Sequence, residues 1–152
     1  MLKTPCRVRP FLDEHAIAYE TIRHRADFTA PETAQDTHTP GREFAKTVVV
    51  RVDGAFAVAV LPANLRLDLE KLRHTLGARN CSLVDETEME RLFPDCEIGA
   101  EPPFGALYGL PVYLDASFEG HEHLTFNAGS HDEAIRISYA DYVSLAHPRI
   151  VA

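Results

Sequence analysis

The stretch Thr47-Val48-Val49-Val50-Arg51-Val52, then Asp53-Gly54, then Ala55-Phe56-Ala57-Val58-Ala59-Val60-Leu61 decides the fold. A β-branched run favours a pleated, half-buried strand, and Asp-Gly is a tight-turn pair that tolerates positive φ. A second apolar run of equal length follows, so the segment reads as a β-hairpin. Leu61-Pro62-Ala63 ends it, because proline has no N–H for the ladder. Downstream, Asp68 caps a helix through Leu69, Leu72 and Leu76, and Gly77 supplies its C-terminal stop. Cys81 to Val84 reads as a strand, and Asp85 with Glu88 caps a further helix ending at Phe93-Pro94. Gly99-Ala100-Glu101-Pro102-Pro103-Phe104-Gly105 is an irregular loop, since two prolines and two glycines exclude regular pairing. Strands are expected at Val112 to Leu114, His123 to Ala128 and Ala134 to Ser138, with a closing helix from Tyr139 to Ala146.

Upstream of the hairpin, Thr4-Pro5 reads as N-cap and first residue of a helix carrying Val8, Phe11, Leu12 and His15. A short strand is expected from Tyr19 to His24. Thr29-Ala30-Pro31-Glu32 is a capping box that starts a second helix, ending before Pro40-Gly41. Interspersed helices and strands with hairpins give a mixed α/β (α+β) class. The expected architecture is a single domain over residues 1–152, a twisted mixed sheet forming a partial barrel with flanking helices.

The chain has 152 residues, 45% of them apolar, enough for one core. Its 15 basic and 23 acidic side chains give a formal charge of -8, which repels polyanions, so any RNA contact must be local. The three cysteines form no CxxC pair, the pattern of reduced thiols. Met1-Leu2-Lys3-Thr4-Pro5 lacks a signal-peptide apolar stretch, and Ala55 to Ala63 is too short to span a bilayer. A cytoplasmic protein without a membrane partner is expected.

Lys46 stands between Phe44-Ala45 and the valine run, at the mouth of an apolar strand. A half-buried ammonium is costly without a partner, so such a lysine serves an anion or a carbonyl. The alternative is a strand-end lysine whose head snorkels into water, and spacing leaves both readings open. Backbone amides of the Gly99–Gly105 loop can cradle a carboxylate, a phosphate or a developing oxyanion, or the loop is simply a rigid connection. In Phe126-Asn127-Ala128-Gly129-Ser130-His131, small residues permit close approach of a ligand and His131 can move a proton. No metal is expected: His121-Glu122-His123 lacks further patterned ligands, and no HExxH occurs. GxSxG, GxGxxG and GxxxxGK[ST] are all missing, so the expectation is a pocket that needs no cofactor.

Taken in order, Lys46-Thr47, Asp53-Gly54, Val60-Leu61-Pro62-Ala63, Leu67-Asp68, Lys71-Leu72, Leu76-Gly77, Gly99 with Pro103, Phe104-Gly105, Phe126 and Ala128-Gly129 resemble the YbaK/prolyl-tRNA-synthetase-associated domain family. Gly99 and Pro103 match that family's GxxxP loop. The resemblance runs from about Phe11 to Leu145 and rests on the order of many short matches. It implies a mixed sheet closing into a partial barrel. It also implies trans-acting hydrolysis of the ester joining a wrong amino acid to the 3′ end of a tRNA.

By the same resemblance Lys46 is the catalytic residue, and Tyr19, Gly99, Pro103, Gly129 and His131 bind substrate. The partners implied are the acceptor end of an aminoacyl-tRNA and an aminoacyl-tRNA synthetase. Two departures leave the edited amino acid open. Ser130-His131-Asp132-Glu133 stands where several subfamilies carry an acidic residue, and Ile98-Gly99 where some relatives pair two glycines. The competing reading is a non-catalytic module of the same fold, binding an aminoacyl-adenosine-like ligand or a synthetase.

Overall fold

A computed structural model describes residues 6–27 and 29–152; the helix start read at Thr4-Pro5 lies outside them. In chain order the elements are α1 (Val8–Glu14), β1 (Glu20–Arg23), α2 (Ala30–Asp36), β2 (Phe44–Val52), β3 (Ala55–Pro62), α3 (Leu69–Leu76), β4 (Cys81–Leu83) and α4 (Glu86–Leu92). Then follow β5 (Val112–Asp115), β6 (His123–Asn127), β7 (Glu133–Ser138), α5 (Tyr139–Ala146) and β8 (Arg149–Val151). Short 3-10 turns lie at Gly41–Glu43, Gly105–Tyr108 and Ala116–Phe118.

The hairpin forms as its sequence dictates. β2 and β3 pair antiparallel from Ala45↔Pro62 to Val52↔Ala55, and both turn residues are left-handed, Asp53 at φ +48 and Gly54 at φ +84. Two successive positive φ values are the primed turn that matches strand twist. Asp53 Oδ1 also accepts the backbone N–H groups of Arg79 and Asn80, each at 2.8 Å, tying the turn to the start of β4.

The sheet runs β1-β7-β6-β2-β3-β5-β8, with β4 pairing the far end of β2. The pairs β2–β6, β3–β5 and β5–β8 are parallel and the others antiparallel, so the sheet is mixed. The path stays open at β1 and β8 and does not close into a barrel.

The helices begin where short polar side chains satisfy their first amides. Thr29 Oγ1 accepts from the Glu32 N–H and donates to Glu32 Oε1, a reciprocal box. Asp68 and Asp85 accept from the amides of Lys71 and Glu88, and Gly77 closes α3 at φ +66. Several bounds depart from the sequence reading, β2 most, since it begins at Phe44 and not at Thr47. The first strand stops at Arg23, although His24 and Asp27 still donate backbone N–H bonds to Asp132 and His131. β8 was not anticipated, because three residues after Pro148 carry no period-two signal.

Alternation along β2 divides the core. Ala45 and Val49 enter the large cluster on one face, built around Phe104, Phe126, Leu114 and Tyr142. Phe44 and Val50 enter two smaller clusters on the other face, one with Ala34 of α2 and one with Leu72 of α3. Phe104 meets Phe11, Phe126 and Tyr142 edge-on at centroid distances of 5.6, 5.6 and 5.2 Å. Tyr142 is fully buried and its hydroxyl donates to the Pro103 carbonyl at 2.7 Å.

Phe104→Ala therefore removes a wholly buried ring and its three edge contacts, with an expected loss of about 3–5 kcal/mol of unfolding free energy. Tyr142→Phe removes only the hydrogen bond and leaves the Pro103 carbonyl without it, with an expected loss of about 1–3 kcal/mol. Urea titration of both variants measures the two losses and their order.

Candidate functional site

Of the residues singled out from sequence, Lys46, Gly99, Gly129 and His131 lie near the end of β6. Ala45 of β2 pairs with Phe126, so the next residue of β6, Asn127, stands beside Lys46, about 4.8 Å away between strand axes. Lys46 lies on the face of Phe44 and Val48, in the notch between the α2-covered and α3-covered clusters. Burial, and secondarily the like charge of Arg66, hold its ammonium pKa below the ordinary lysine value. Among the described residues Lys46 has no ion-pair partner. An arriving anion or polarised carbonyl would supply one.

Gly99 and His131 are in contact, and Gly129 is tied to them through Glu97 and Ala100. Gly99 adopts φ +88, and a Cβ there would lie 3.3 Å from His131 Cε1, so the absent side chain gives the imidazole its seat. His131 Nε2 lies 2.7 Å from the Ile98 carbonyl, which can only accept, so Nε2 carries the proton. The His131 N–H donates to Glu97 Oε1 at 2.7 Å. The Glu97 N–H donates to the Gly129 carbonyl, and the Gly129 N–H to that of Ala100. The loop and the β6–β7 corner are thereby clamped.

The Gly99 amide, expected from sequence to face a ligand, donates instead to the carboxylate of buried Glu101, at 2.8 Å to Oε2. Gly99 thus contributes space at this site, while its N–H is occupied internally. Pro103 is buried, and its carbonyl anchors the loop to α5 through Tyr142. Tyr19 is not brought to the group. It precedes β1 at the Arg136 end, five residues before His24, which is on the order of 16 Å of strand. Its hydroxyl donates to Asp13 of α1 at 3.0 Å.

Sequence reading missed the polar atoms around this end. Four buried side-chain atoms of the described residues lack a hydrogen-bond partner: His24 Nε2, Asp27 Oδ2, Thr47 Oγ1 and Asn127 Oδ1. Asn127 shares the Lys46 face, whereas Thr47 points to the opposite face and Asp27 Oδ2 lies 3.3 Å from His24 Nδ1. Thr47 follows Lys46 on β2, Asn127 stands beside it, and the backbones of His24 and Asp27 bond to Asp132 and His131. Buried polar groups are almost always paired, so Asn127 Oδ1, on the Lys46 face where β6 ends, marks a place where a polar ligand completes the bonding. Burial, then the hydrogen-bonded Asp36 carboxyl, raises the Asp27 pKa above the ordinary carboxylate value. Lys46-Thr47 and the Asn127 tract were visible in the sequence, but unpaired atoms exist only in the folded arrangement.

A separate groove of about 260 Å³ lies on the α3 face, lined by Leu61, Arg66, Leu67, Lys71 and Tyr113 among others. Lys46 does not line it, although Leu61, its register partner, does.

Gly129, at φ +91, would place a Cβ 2.5 Å from Cys6 Cβ, whereas Gly54, at φ +84, has open space around it. Alanine at either position adopts a left-handed backbone at a cost of about 1–2 kcal/mol. Gly129→Ala is expected to cost more than Gly54→Ala by about 1 kcal/mol or more, the cost of a core clash. Thermal or urea unfolding of the two variants side by side measures that difference.

Known proteins share this fold. The profile of the aminoacyl-tRNA editing domain matches residues 24–145. The chain is 28% identical over 150 residues to the multifunctional Ser/Thr-tRNA deacylase ProXp-y of Escherichia coli K12, covering 95% of this chain and 89% of that one. Among solved structures, a proposed trans-editing enzyme for prolyl tRNA synthetase superposes with a TM-score of 0.82 at 22% identity, covering 95% of this chain and 92% of the other. The hypothetical protein APE2540 superposes at 0.83 with 16% identity, covering 95% and 96%. The match over residues 24–145, most of the length, means that this chain belongs to the aminoacyl-tRNA editing domain family.

Proposed function

We propose that the chain is a trans-acting deacylase that hydrolyses the ester of a mischarged aminoacyl-tRNA, with the acceptor end seated against Lys46. The observation that carries this reading is the half-buried Lys46 ammonium, without an ion-pair partner among the described residues, beside the unpaired Asn127 Oδ1. Family membership and the likeness to a Ser/Thr-tRNA deacylase support it.

Ester hydrolysis needs a placed nucleophile and stabilisation of the tetrahedral oxyanion. Lys46 anchors the terminal phosphate or polarises the ester carbonyl, and its charge is worth most where water is excluded. The neighbouring ribose hydroxyl of the substrate assists the attacking water, so no Ser-His-Asp arrangement is required. His131, packed on Gly99, borders the substrate on the loop side. Asn127 Oδ1 is an acceptor without a donor, which suits the hydroxyl of an esterified serine or threonine. A site built to accept a hydroxyl disfavours the analogue lacking it, because the buried acceptor would then stay unpaired. A chain of charge -8 holds only the acceptor end, and a synthetase partner would supply further affinity for the rest of the tRNA.

The test is a panel of tRNAs carrying Ala, Ser, Cys or Thr, incubated with wild type and with Lys46→Ala. Wild type is expected to release Ser or Thr fastest, and Lys46→Ala to fall by about 100-fold or more in kcat/KM. Because its pKa is lowered, Lys46 loses its proton earlier than an ordinary lysine as pH rises. The ratio of wild-type to Lys46→Ala activity is therefore expected to shrink toward alkaline pH. Binding of every ester without release returns the non-catalytic reading, and equal rates for the two proteins remove Lys46 from the site.

A further inference from the structure

Beside the clamp that holds the site loop lies a second cluster, which ester hydrolysis does not use. Cys6, at the start of the described chain, and Cys96, in the loop after α4, are 90 residues apart in sequence, and their sulfurs lie 3.8 Å apart. Asp95 Oδ1 is 3.8 Å from Cys96 Sγ. The Tyr108 hydroxyl is 3.3 Å from Cys96 Sγ, 3.9 Å from Cys6 Sγ and 3.0 Å from Asp95 Oδ2. Cys96 and Asp95 are each 3% exposed.

These separations are those of a small tetrahedron. A zinc–sulfur bond of about 2.3 Å at the tetrahedral angle sets an S···S edge of about 3.8 Å. With a zinc–oxygen bond of about 2.0–2.2 Å, the S···O edge comes to about 3.5 Å. The observed S···S edge matches, and the S···O edges bracket the value. Two thiols that merely fill a core have no reason to meet a carboxylate and a phenol at those spacings.

We propose that Cys6, Cys96 and Asp95, with the Tyr108 hydroxyl at the fourth corner, form a structural site for a thiophilic divalent cation of the zinc class. Binding forms two metal–thiolate bonds and one metal–carboxylate bond, and the two thiol protons leave to solvent; no electron is transferred. Three anionic ligands around a dication leave one negative charge, which the Arg7 guanidinium balances at 3.6 Å from Asp95 Oδ2. Arg7 also holds the carboxylate in place. Its backbone N–H donates to Oδ2 at 2.8 Å, which leaves Oδ1 turned toward Cys96. Such outer hydrogen bonds orient metal ligands. Gly129 completes the seat, since any side chain there would strike Cys6 Cβ and Sγ.

The site is structural because of what it adjoins. Asp95 and Cys96 run directly into Glu97, whose amide and carboxylate hold Gly129 and His131. A bound cation would fasten the chain start, the site loop and the β6–β7 corner together, with no route for substrate through it. The proposal stands independently of the deacylase reading.

The test uses the full chain, stripped with a chelator and kept reduced with a phosphine, titrated with Co(II) alone and then with Zn(II). The expected result is one Co(II) per chain, with sulfur-to-cobalt charge-transfer absorption and tetrahedral ligand-field bands, displaced by one Zn(II). Zn(II) is also expected to raise the thermal midpoint, as any ligand selective for the native state does. Cys6→Ser, Cys96→Ser and Asp95→Asn are each expected to bind at least tenfold more weakly. Cys81→Ser, in β4 and outside the cluster, is expected to match wild type. Circular dichroism of each metal-free variant checks that it is folded. Uptake well below one per chain, a cobalt spectrum lacking sulfur absorption, or binding unaffected in folded Cys6→Ser and Cys96→Ser overturns the proposal. So does a Cys6–Cys96 disulfide in a chain that takes up no metal once reduced.

Discussion

A two-residue parallel pairing, Phe44↔Thr125 and Ala45↔Phe126, joins the two halves of this sheet. On one side stand β2, β3, β4, β5 and β8; on the other β6, β7 and β1. Parallel neighbours need a long crossover, and closing so long a loop costs conformational entropy before any contact rewards it. The reward is Phe126, wholly buried, which stacks edge-on to Phe104 and so draws the loop between α4 and β5 onto the same face. Because the pairing with β6 ends there, β2 continues past Asn127 paired to β3, and Lys46, opposite Leu61 in that ladder, stands beside the terminus of β6. Its notch is thus a consequence of where two strands stop pairing.

That geometry explains the electrostatics. Lys46 sits between apolar clusters covered by α2 and α3, so its ammonium loses solvent without gaining a carboxylate among the described residues, and Arg66 adds repulsion. Across the strand end, the loop bearing Gly99 is stiffened by Glu101, Glu97 and the Pro103–Tyr142 bond. Rigid walls around an uncompensated charge make a preorganised site, in which little reorganisation remains when charge develops on a substrate.

Much of this was legible from residue order because local chemistry decided it. Asp53-Gly54 could only be a primed turn between those runs, and Asp68, Asp85 and Thr29 cap their helices as their spacing requires. Lys46, Gly99, Gly129 and His131 were found through their resemblance to a family; Gly99 and His131 touch, and Glu97 and Ala100 tie Gly129 to them. What stayed hidden was long-range. β8 is short and lacks a pattern; the Gly99 amide is taken by a carboxylate two residues on; Tyr19 sits at the far end of its strand. Cys6 and Cys96 have no motif between them, and only the packing of α1 against the loop brings their sulfurs together.

The account rests on the ligand site lying at the end of β6 and not in the groove under α3. The direct measurement is a two-dimensional amide and lysine-ammonium NMR titration with a non-hydrolysable 3′-aminoacylamino-adenosine. The account predicts shifts concentrated at Lys46, Thr47, Asn127, Gly99, Gly129 and His131, with the Lys46 ammonium retaining its proton to higher pH once the ligand is bound. Shifts confined to Arg66, Leu67, Lys71 and Tyr113, with Lys46 unmoved, would contradict it.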